Sequence, residues 1–445
     1  MAAGLIIAAP ASGSGKTAIT LALLGLARRL GRAISSAKVG PDYIDPAFHA
    51  AATGRPCFNL DGWAMRPETL RAVLAESARD ADVVLIEGVM GLFDGAAIGP
   101  GGASGSTADL AASLDLPVVL VMNAKGQGAT AGAVLEGLAR HRRDVRVAGV
   151  IFNRVGGAGH RAILAAAAEA AHVPVFGTLP AMPALALPER HLGLRQASEI
   201  ADLDRFLADA ADAIAPHLDP APLLGIAAPI AAAPDAMPGL PPLGQHIAVA
   251  RDVAFAFAYP AQLESWRRAG ASLSFFSPLG DEAPAPGADA VFLPGGYPEL
   301  HAGRLAGNRR YQAGLRAAAG RGALVYGECG GYMALGESLT DADGRAHPMA
   351  GLLPVATSFA EPRLHLGYRR AALLDAGPLG ARGAAFAGHE FHYASVAREA
   401  GGAGLFAATD AQGRDLGCFG RRVGKVMGSF LHLIDRAPTE LAPHL

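Results

Sequence analysis

The sequence predicts an α/β protein with two domains. Three observations support this: a length of 445 residues, short apolar runs that alternate with alanine-rich stretches, and a proline-rich segment near the middle. One core rarely organises so long a chain, because single cores stop growing at about 250–300 residues. Continuous β-branched runs between helical stretches are typical of a parallel sheet covered on both faces. We therefore expect such a sheet in each half.

The predicted linker covers residues 216–244. Eight prolines fall in this segment, and proline interrupts both helices and central strands. We thus expect one domain at residues 1–215 and a second at residues 245–445.

Charge, cysteine content and hydropathy exclude several classes of protein. The formal net charge is −2, so no strong positive field attracts nucleic acid. Cys57, Cys329 and Cys418 are too few and too scattered for a disulfide framework or a zinc site, which fits a reducing cytoplasm. No apolar run approaches the roughly 20 residues that span a bilayer. We expect a soluble cytoplasmic protein that binds small molecules, neither nucleic acid nor membrane, with a homodimer as one option for its assembly.

A strand, a glycine-rich loop and a helix follow one another at the N-terminus. The loop reads PASGSGKT at residues 10–17, and Pro10 stands where the motif usually opens with glycine. This order places backbone N–H groups and a helix N-terminus around a triphosphate. Lys16 would reach the β- and γ-phosphates of ATP, and Thr17 would bind Mg²⁺. The loop residues assigned to the nucleotide are Gly13, Gly15, Lys16 and Thr17.

Acidic residues follow later apolar runs. Glu87 ends the run at 83–87, where a carboxylate suits a metal ion beside the nucleotide. The segment at 38–46, KVGPDYIDP, holds a lysine, a tyrosine and two acids between prolines, and taken alone it could be a surface turn. The run GLFDG at 91–95 adds a further acid.

Cys329 lies in a sharp glycine-flanked turn after the apolar run at 323–326. This pattern is typical of a nucleophile elbow, in which the thiol lies at a helix N-terminus that favours the thiolate. A buried structural cysteine would not need the flanking glycines. Cys418 lacks that context and fits a structural role better.

The motifs together resemble cobyrinic or hydrogenobyrinic acid a,c-diamide synthase, over essentially the entire chain. The stretches that carry the resemblance are residues 8–17, 38–49 (KVGPDYIDPAFH), 87–95 (EGVMGLFDG) and 188–194 (PERHLGL). The resemblance implies a P-loop domain similar to dethiobiotin synthetase, fused to a class I glutamine amidotransferase domain. It also implies ATP, Mg²⁺ and an acyl-phosphate intermediate.

The resemblance implies roles for residues of the N-terminal half. Lys16, Thr17, Asp42 and Glu87 would surround Mg-ATP, with the last three on the metal. Tyr43, Asp45 and Asp94 would face the macrocycle. Asn153 ends a strand and would either read the adenine edge or cap that strand.

The resemblance implies a glutaminase site in the C-terminal half. Cys329 would be the nucleophile, His432 the base, and the turn at Gly295 and Gly296 the oxyanion hole. Ile434 occupies the place of the usual glutamate, so another group must orient His432, or the site is a dyad. The motif GHEFHY contains His389, Glu390 and His392, for which we expect a structural or interdomain role and not a metal site.

The predicted function is ATP- and glutamine-dependent amidation of the a and c carboxylates of a corrinoid ring in cobalamin biosynthesis. One alternative is a cobyric acid synthase, which amidates other carboxylates. A second is a ParA-like ATP switch with a degenerate amidotransferase domain, and a third is a plain nucleotide-binding scaffold. The sequence does not distinguish a metal-free from a cobalt-containing ring.

Overall fold

The computed structural model describes residues 2–97, 104–187, 196–232 and 237–437, with the backbone of 189–190 and 193–194. The chain divides into two compact units. Unit 1 comprises Met1–Trp63, Leu70–Ala96 and Gly102–Asp235, and unit 2 comprises Ala64–Thr69, Ala97–Gly101 and Ala236–Leu445. The domain limits drawn from the sequence stay a prediction.

Unit 1 is built around a parallel sheet. Its strands are β1 (Ala3–Ala8), β2 (Ile34–Val39), β3 (Phe58–Leu60), β4 (Val83–Glu87), β5 (Val118–Asn123), β6 (Val147–Val155), β7 (Val175–Pro180), β8 (Glu189–Arg190), β9 (Gly193–Leu194) and β10 (Ala228–Pro229). The helices of this part of the chain are α1 (Lys16–Arg29), α2 (Asp45–Thr53), α3 (Pro67–Ser77), α4 (Thr107–Leu114), α5 (Thr130–Arg140), α6 (Ala158–Ala170), α7 (Leu203–Ile214) and α8 (Pro220–Gly225).

The sheet of unit 1 has the strand order β3-β2-β4-β1-β5-β6-β7, and all neighbours in this series are parallel. Its central strands are buried apolar runs, as the sequence predicts for a sheet with both faces covered. Within the segment predicted as a linker, α8 forms, and β10 pairs with β1. The carboxyl ends of β1, β2 and β4 lie at one edge, where open α/β sheets bind ligands.

Unit 2 has a larger, mixed sheet. Its strands are β11 (His246–Ala250), β12 (Ser272–Phe276), β13 (Ala290–Leu293), β14 (Leu324–Glu328), β15 (Ser338–Thr340), β16 (Ala346–Pro348), β17 (Val355–Ser358), β18 (His365–Leu373), β19 (Ala385–His392), β20 (Ser395–Glu399), β21 (Ala403–Asp410), β22 (Asp415–Val423), β23 (Val426–Ser429) and β24 (Leu431–Arg436). The helices are α9 (Pro260–Arg268), α10 (Ala302–Gly307), α11 (Arg309–Gly320) and α12 (Gly330–Leu335).

The strand order in unit 2 places β14 next to β23 and β19 next to β24. The full order is β12-β11-β13-β14-β23-β22-β21-β18-β19-β24, and β16-β15-β17-β20 form a second sheet. Strands β11, β12, β13, β14 and β23 form the parallel part of the large sheet. The remaining pairs of this sheet are antiparallel. The α/β class predicted from the sequence is confirmed for both halves of the chain.

Arg66 belongs to unit 2 although it precedes most of unit 1 in sequence. Its guanidinium donates to both carboxylate oxygens of Asp435, at 3.1 and 2.9 Å, and Asp435 is fully buried. Unit 2 is therefore assembled from distant segments of the chain. Among the described helices, none is both long and apolar enough to cross a bilayer.

Candidate active sites

The glycine-rich loop joins β1 to α1 in unit 1. Gly13 and Gly15 have φ of 77° and 90°, a region that side chains disfavour. A Cβ on Gly15 would also lie 2.3 Å from Asn153 Nδ2, so glycine is required there twice over. Asn153 Nδ2 donates to Ser14 O at 3.0 Å, and its Oδ1 accepts from Arg154 N at 2.9 Å. The amide of Asn153 therefore holds the loop in place.

Glu87 is the centre of a buried cluster beside this loop. Its Oε1 lies 3.0 Å from Lys16 Nζ and accepts from Thr17 Oγ1 at 2.6 Å. Lys38 of β2 is the parallel-sheet partner of Glu87 in β4, and its Nζ also lies 3.0 Å from Oε1. Two cations and a hydroxyl thus converge on one carboxylate oxygen at the carboxyl edge of the sheet.

Asp45 and Asp42 take different places around the cluster. Asp45 Oδ2 accepts from Lys38 Nζ at 2.6 Å and lies 3.4 Å from Thr17 Oγ1. Asp42 Oδ1 accepts from the N–H groups of Ile44 and Asp45, at 2.7 and 3.2 Å, and so fixes the turn that precedes α2. Asp45, for which the resemblance implies a contact with the macrocycle, therefore lies next to Thr17 of the phosphate loop.

The other residues assigned to the macrocycle lie at the edges of this region. Tyr43 is half-buried in the turn before α2. Asp94 is exposed, and its Oδ2 accepts from Gly91 N at 2.8 Å. The run that carries Asp94 lies against the phosphate loop, because Leu92 N donates to Ala9 O at 2.8 Å. The motif at 188–194 lies outside the residues whose side chains are described.

Electrostatics keep Lys38 and Glu87 ionised although both are buried. Burial opposes the charge of Lys38, but the carboxylates of Asp45 and Glu87 raise its pKa above the ordinary value. Burial also opposes ionisation of Glu87, yet Lys16, Lys38 and His49 hold its pKa well below the ordinary value. Burial and the neighbouring Asp45 raise the pKa of Asp42 to about 6. The site therefore carries fixed charges of both signs that can meet a phosphate and a cation.

Sequence reasoning missed the central positions of Lys38 and His49. His49 Nε2 lies 2.6 Å from Glu87 Oε2, and both side chains are fully buried. His49 follows Asp45 by one turn of α2, so both side chains face the cluster around Glu87. That helical spacing was the available signal.

Cys329 lies between β14 and α12 in unit 2. Its φ of 47° is left-handed, a strained conformation that functional sites often retain. Its N–H donates to Ser429 O at 2.8 Å, and its thiol lies 3.7 Å from Phe391 O. The elbow predicted from the sequence is therefore present, held by the ends of β23 and β19.

The glycine turn after β13 packs against this elbow. A Cβ on Gly330 would lie 3.0 Å from Gly296 N, and a Cβ on Gly295 would lie 2.4 Å from His432 Cε1. Only glycine fits at either position without displacing its neighbour. These contacts bring the Gly296 amide close to the residue that follows Cys329, and they place the turn against His432.

Glu328 lies beside His432 and offers the carboxyl group that Ile434 does not supply. Its Oε2 lies 3.9 Å from His432 Nδ1, and both side chains are buried. Its Oε1 accepts from Leu433 N and from Tyr326 OH, each at 3.1 Å, which fixes the orientation of the carboxyl group. No sequence motif marks Glu328 as a partner of the histidine.

The resting thiol differs from the thiolate that the sequence predicts. Burial, with added repulsion from Glu299, raises the pKa of Cys329 above its ordinary value. Burial, with His389 and His392, lowers the pKa of His432 well below its ordinary value. The short helix α12 does not offset this desolvation, so the resting pair is a neutral thiol and a neutral imidazole. A proton must move to His432 as the thiol attacks.

The GHEFHY motif forms a wall of the same site. The His389 ring stacks on His432 at 4.8 Å, and its Nε2 lies 2.9 Å from Tyr259 OH. Glu390 pairs with Arg369 at 2.8 Å and with His392 at 2.9 Å. These contacts support a structural role within unit 2.

A metal ion does not suit the His365, Glu390 and His392 group, although their ligand atoms lie within 4.8 Å of one another. The two imidazole rings stack at 4.6 Å with planes only 8° apart. Imidazole lone pairs lie in the ring plane, so parallel stacked rings cannot both point at one ion. In addition, Glu390 Oε2 already accepts a hydrogen bond from Arg369 Nε at 2.9 Å.

Comparisons with known proteins cover both units. One family model, the CobB/CobQ-like glutamine amidotransferase domain, matches residues 246–439, and an AAA domain matches residues 60–189. The hydrogenobyrinate a,c-diamide synthase of Brucella anthropi is 55% identical over 97% of this chain and 98% of that one. Proteins of the same name from Sinorhizobium sp and Rhodobacter capsulatus are 53% and 52% identical, over 98% and 97% of this chain and 99% and 98% of theirs.

An AAA domain and a glutamine amidotransferase domain in one chain define a glutamine-dependent, amide-forming ligase. The chain belongs to the hydrogenobyrinate a,c-diamide synthase family, because relatives of that name are 52–55% identical over nearly its whole length. The resemblance predicted from the motifs is thereby confirmed. The relatives' name matches neither a cobyric acid synthase nor a ParA-like switch.

Proposed function

We propose that this chain amidates the a and c side-chain carboxylates of hydrogenobyrinic acid in cobalamin biosynthesis, with glutamine as nitrogen donor and ATP as energy source. The observation that carries the proposal is the similarity to relatives named for this reaction along the full chain, which includes both candidate sites. Their name also favours the metal-free ring over the cobalt-containing ring.

The cluster around Glu87 is suited to activate the carboxylate. An oxygen of the ring carboxylate attacks the γ-phosphorus, the bond to ADP breaks, and an acyl phosphate forms. Lys16 and Lys38 would neutralise charge on the transferred group, because Lys16 ends the phosphate loop and Lys38 lies beside Glu87 at the carboxyl edge of the sheet. Asp45 would hold Lys38 in place through their 2.6 Å contact.

The residues beside the phosphate loop fit Mg²⁺. The hydroxyl of Thr17 lies 2.6 Å from Glu87 Oε1 and 3.4 Å from Asp45 Oδ2. This group of oxygen atoms suits Mg²⁺, which prefers oxygen ligands. When bound, Mg²⁺ would neutralise charge on the β- and γ-phosphates. We propose Asp45 as a ligand in addition to Thr17 and Glu87. Asp42 stays a candidate through Oδ2, because it is Oδ1 that accepts from the N–H groups of Ile44 and Asp45.

The Cys329 site is suited to release ammonia. The thiol sulfur attacks the carboxamide carbon of glutamine as His432 takes the thiol proton. The amides of Gly296 and Gly330 would stabilise the oxyanion. Collapse with the proton passed from His432 releases ammonia and leaves a glutamyl thioester, which water hydrolyses to glutamate. The ammonia then attacks the acyl phosphate, and phosphate leaves.

The proposal is tested by incubating the protein with ATP, Mg²⁺, glutamine and either hydrogenobyrinic or cobyrinic acid. We expect the metal-free ring to gain two amides, with one ADP and one glutamate formed for each, as followed by mass spectrometry of the ring. A ring that stays unmodified while ATP and glutamine are hydrolysed would refute the proposed substrate.

Replacement of Glu328 by glutamine is expected to lower kcat of glutamine hydrolysis by about 10- to 100-fold with KM for glutamine unchanged. Burial raises the pKa of Glu328 to about 8, so the group is partly ionised near neutral pH. Its ionised form orients His432 and supports the positive charge during attack, which a neutral amide cannot do. We expect less than the loss known for a directly bonded triad acid, because the 3.9 Å separation is too long for a hydrogen bond.

The control for this variant is Glu361→Gln, which alters an exposed carboxylate of the same unit. Amidation supported by free ammonia should be the same in both variants. An unchanged kcat in Glu328→Gln would show that His432 works without the carboxylate.

A further inference from the structure

Glu299 carries a buried carboxylate that the mechanism above does not use. It lies in the short 3-10 turn Pro298–His301, directly after the glycine turn. Its Oε2 is buried and has no hydrogen-bond partner within the described part of the chain. A buried carboxylate is costly to keep without a donor or a cation. The position therefore suits a group that arrives with a ligand.

The turn that carries Glu299 lies against the nucleophile elbow. A Cβ on Gly330 would lie 2.9 Å from Pro298 Cδ, so the residue after Cys329 contacts the residue before Glu299. After burial, Glu299 is the neighbour that most raises the pKa of Cys329. Both observations place this carboxylate next to the thiol.

The other carboxylates around the thiol are already engaged. Glu328 accepts from Leu433 N and Tyr326 OH, and Glu390 pairs with Arg369 and His392. Glu299 differs from both because its Oε2 has no partner among the described residues, and burial raises its pKa to about 7. An incoming cation would stabilise its ionised form.

Glutamine brings such a cation to this place. Its α-ammonium group is on the carbon three bonds from the carboxamide carbon that Cys329 attacks. This step rests on the glutaminase activity proposed above, which by itself involves only the carboxamide. We propose that Glu299 binds the α-ammonium group of glutamine and so selects glutamine over amides that lack it.

The test compares glutamine with glutaramic acid, which is glutamine without the α-amino group, by measuring ammonia release. In the wild-type protein, kcat/KM should be about 10- to 100-fold higher for glutamine, as expected for a hydrogen bond to a charged group. In Glu299→Gln, the KM for glutamine should rise by a similar factor, with kcat little changed. The preference for glutamine over glutaramic acid should largely disappear.

Glu361→Gln serves as the matched control and should keep the wild-type preference, because its carboxylate is exposed. Equal use of both amides by the wild-type protein would overturn the assignment, whether or not the variant folds. So would a folded Glu299→Gln variant that loses activity equally toward both. Absence of any glutamine hydrolysis by the wild-type protein would instead refute the proposed function.

Discussion

Cys329→Ser is expected to lower the rates of glutamine hydrolysis and of glutamine-dependent amidation by roughly a thousandfold or more. The hydroxyl is a far weaker nucleophile than sulfur, and His432, whose pKa is lowered by burial, is a weak base for a hydroxyl proton. Amidation with ammonium chloride should persist, because the cluster around Glu87 is untouched. Ring products and glutamate are measured in parallel.

Cys418→Ser is the matched control, since Cys418 is an exposed thiol of the same unit. It should retain both activities. If Cys329→Ser lost ammonia-dependent amidation as well, the separation into two half-reactions would be wrong.

Lys16→Ala should impair the ATP-dependent half-reaction and spare glutamine hydrolysis. Amidation of the ring should fall about 100- to 1000-fold with either glutamine or ammonia as nitrogen source, because a charge that stabilises the transferred phosphoryl group is missing. Glutamine hydrolysis should continue. The fold should persist, because Lys38 and His49 still contact the buried carboxylate of Glu87.

Lys125→Ala is the control for this variant, because Lys125 is an exposed lysine of the same unit. Its ATP-dependent amidation should equal that of the wild-type protein. Normal amidation by Lys16→Ala would mean that the glycine-rich loop does not hold the reacting phosphates.

The phosphate loop could be predicted from the sequence because its elements are contiguous. Strand, loop and helix follow one another in the sequence. The two loop positions with positive φ, Gly13 and Gly15, are occupied by glycine. The contact between Lys38 and Glu87 could not be predicted in this way. It depends on β2 lying beside β4 in one register, and no local pattern fixes which strands of a parallel sheet become neighbours.

The same limit applies to the glutaminase site. Cys329 was evident from its glycines, but the role of Glu328 was not, because adjacent residues of a strand normally point to opposite faces. The left-handed turn at Cys329 changes that geometry. The raised pKa of the thiol arises mainly from burial, to which β19, distant in sequence, contributes through Phe391. A local motif therefore predicted a thiolate where the fold gives a thiol.

The ion pair of Arg66 and Asp435 has a consequence for dissecting this protein. A fragment that begins after residue 235 contains the glutaminase residues but lacks the guanidinium. Asp435 would then remain a buried carboxylate without its cation, a defect that typically destabilises a fold by about 3–5 kcal/mol. Truncation at that boundary thus removes a stabilising partner as well as the first half of the chain, and poor expression of such a fragment would say nothing about its chemistry.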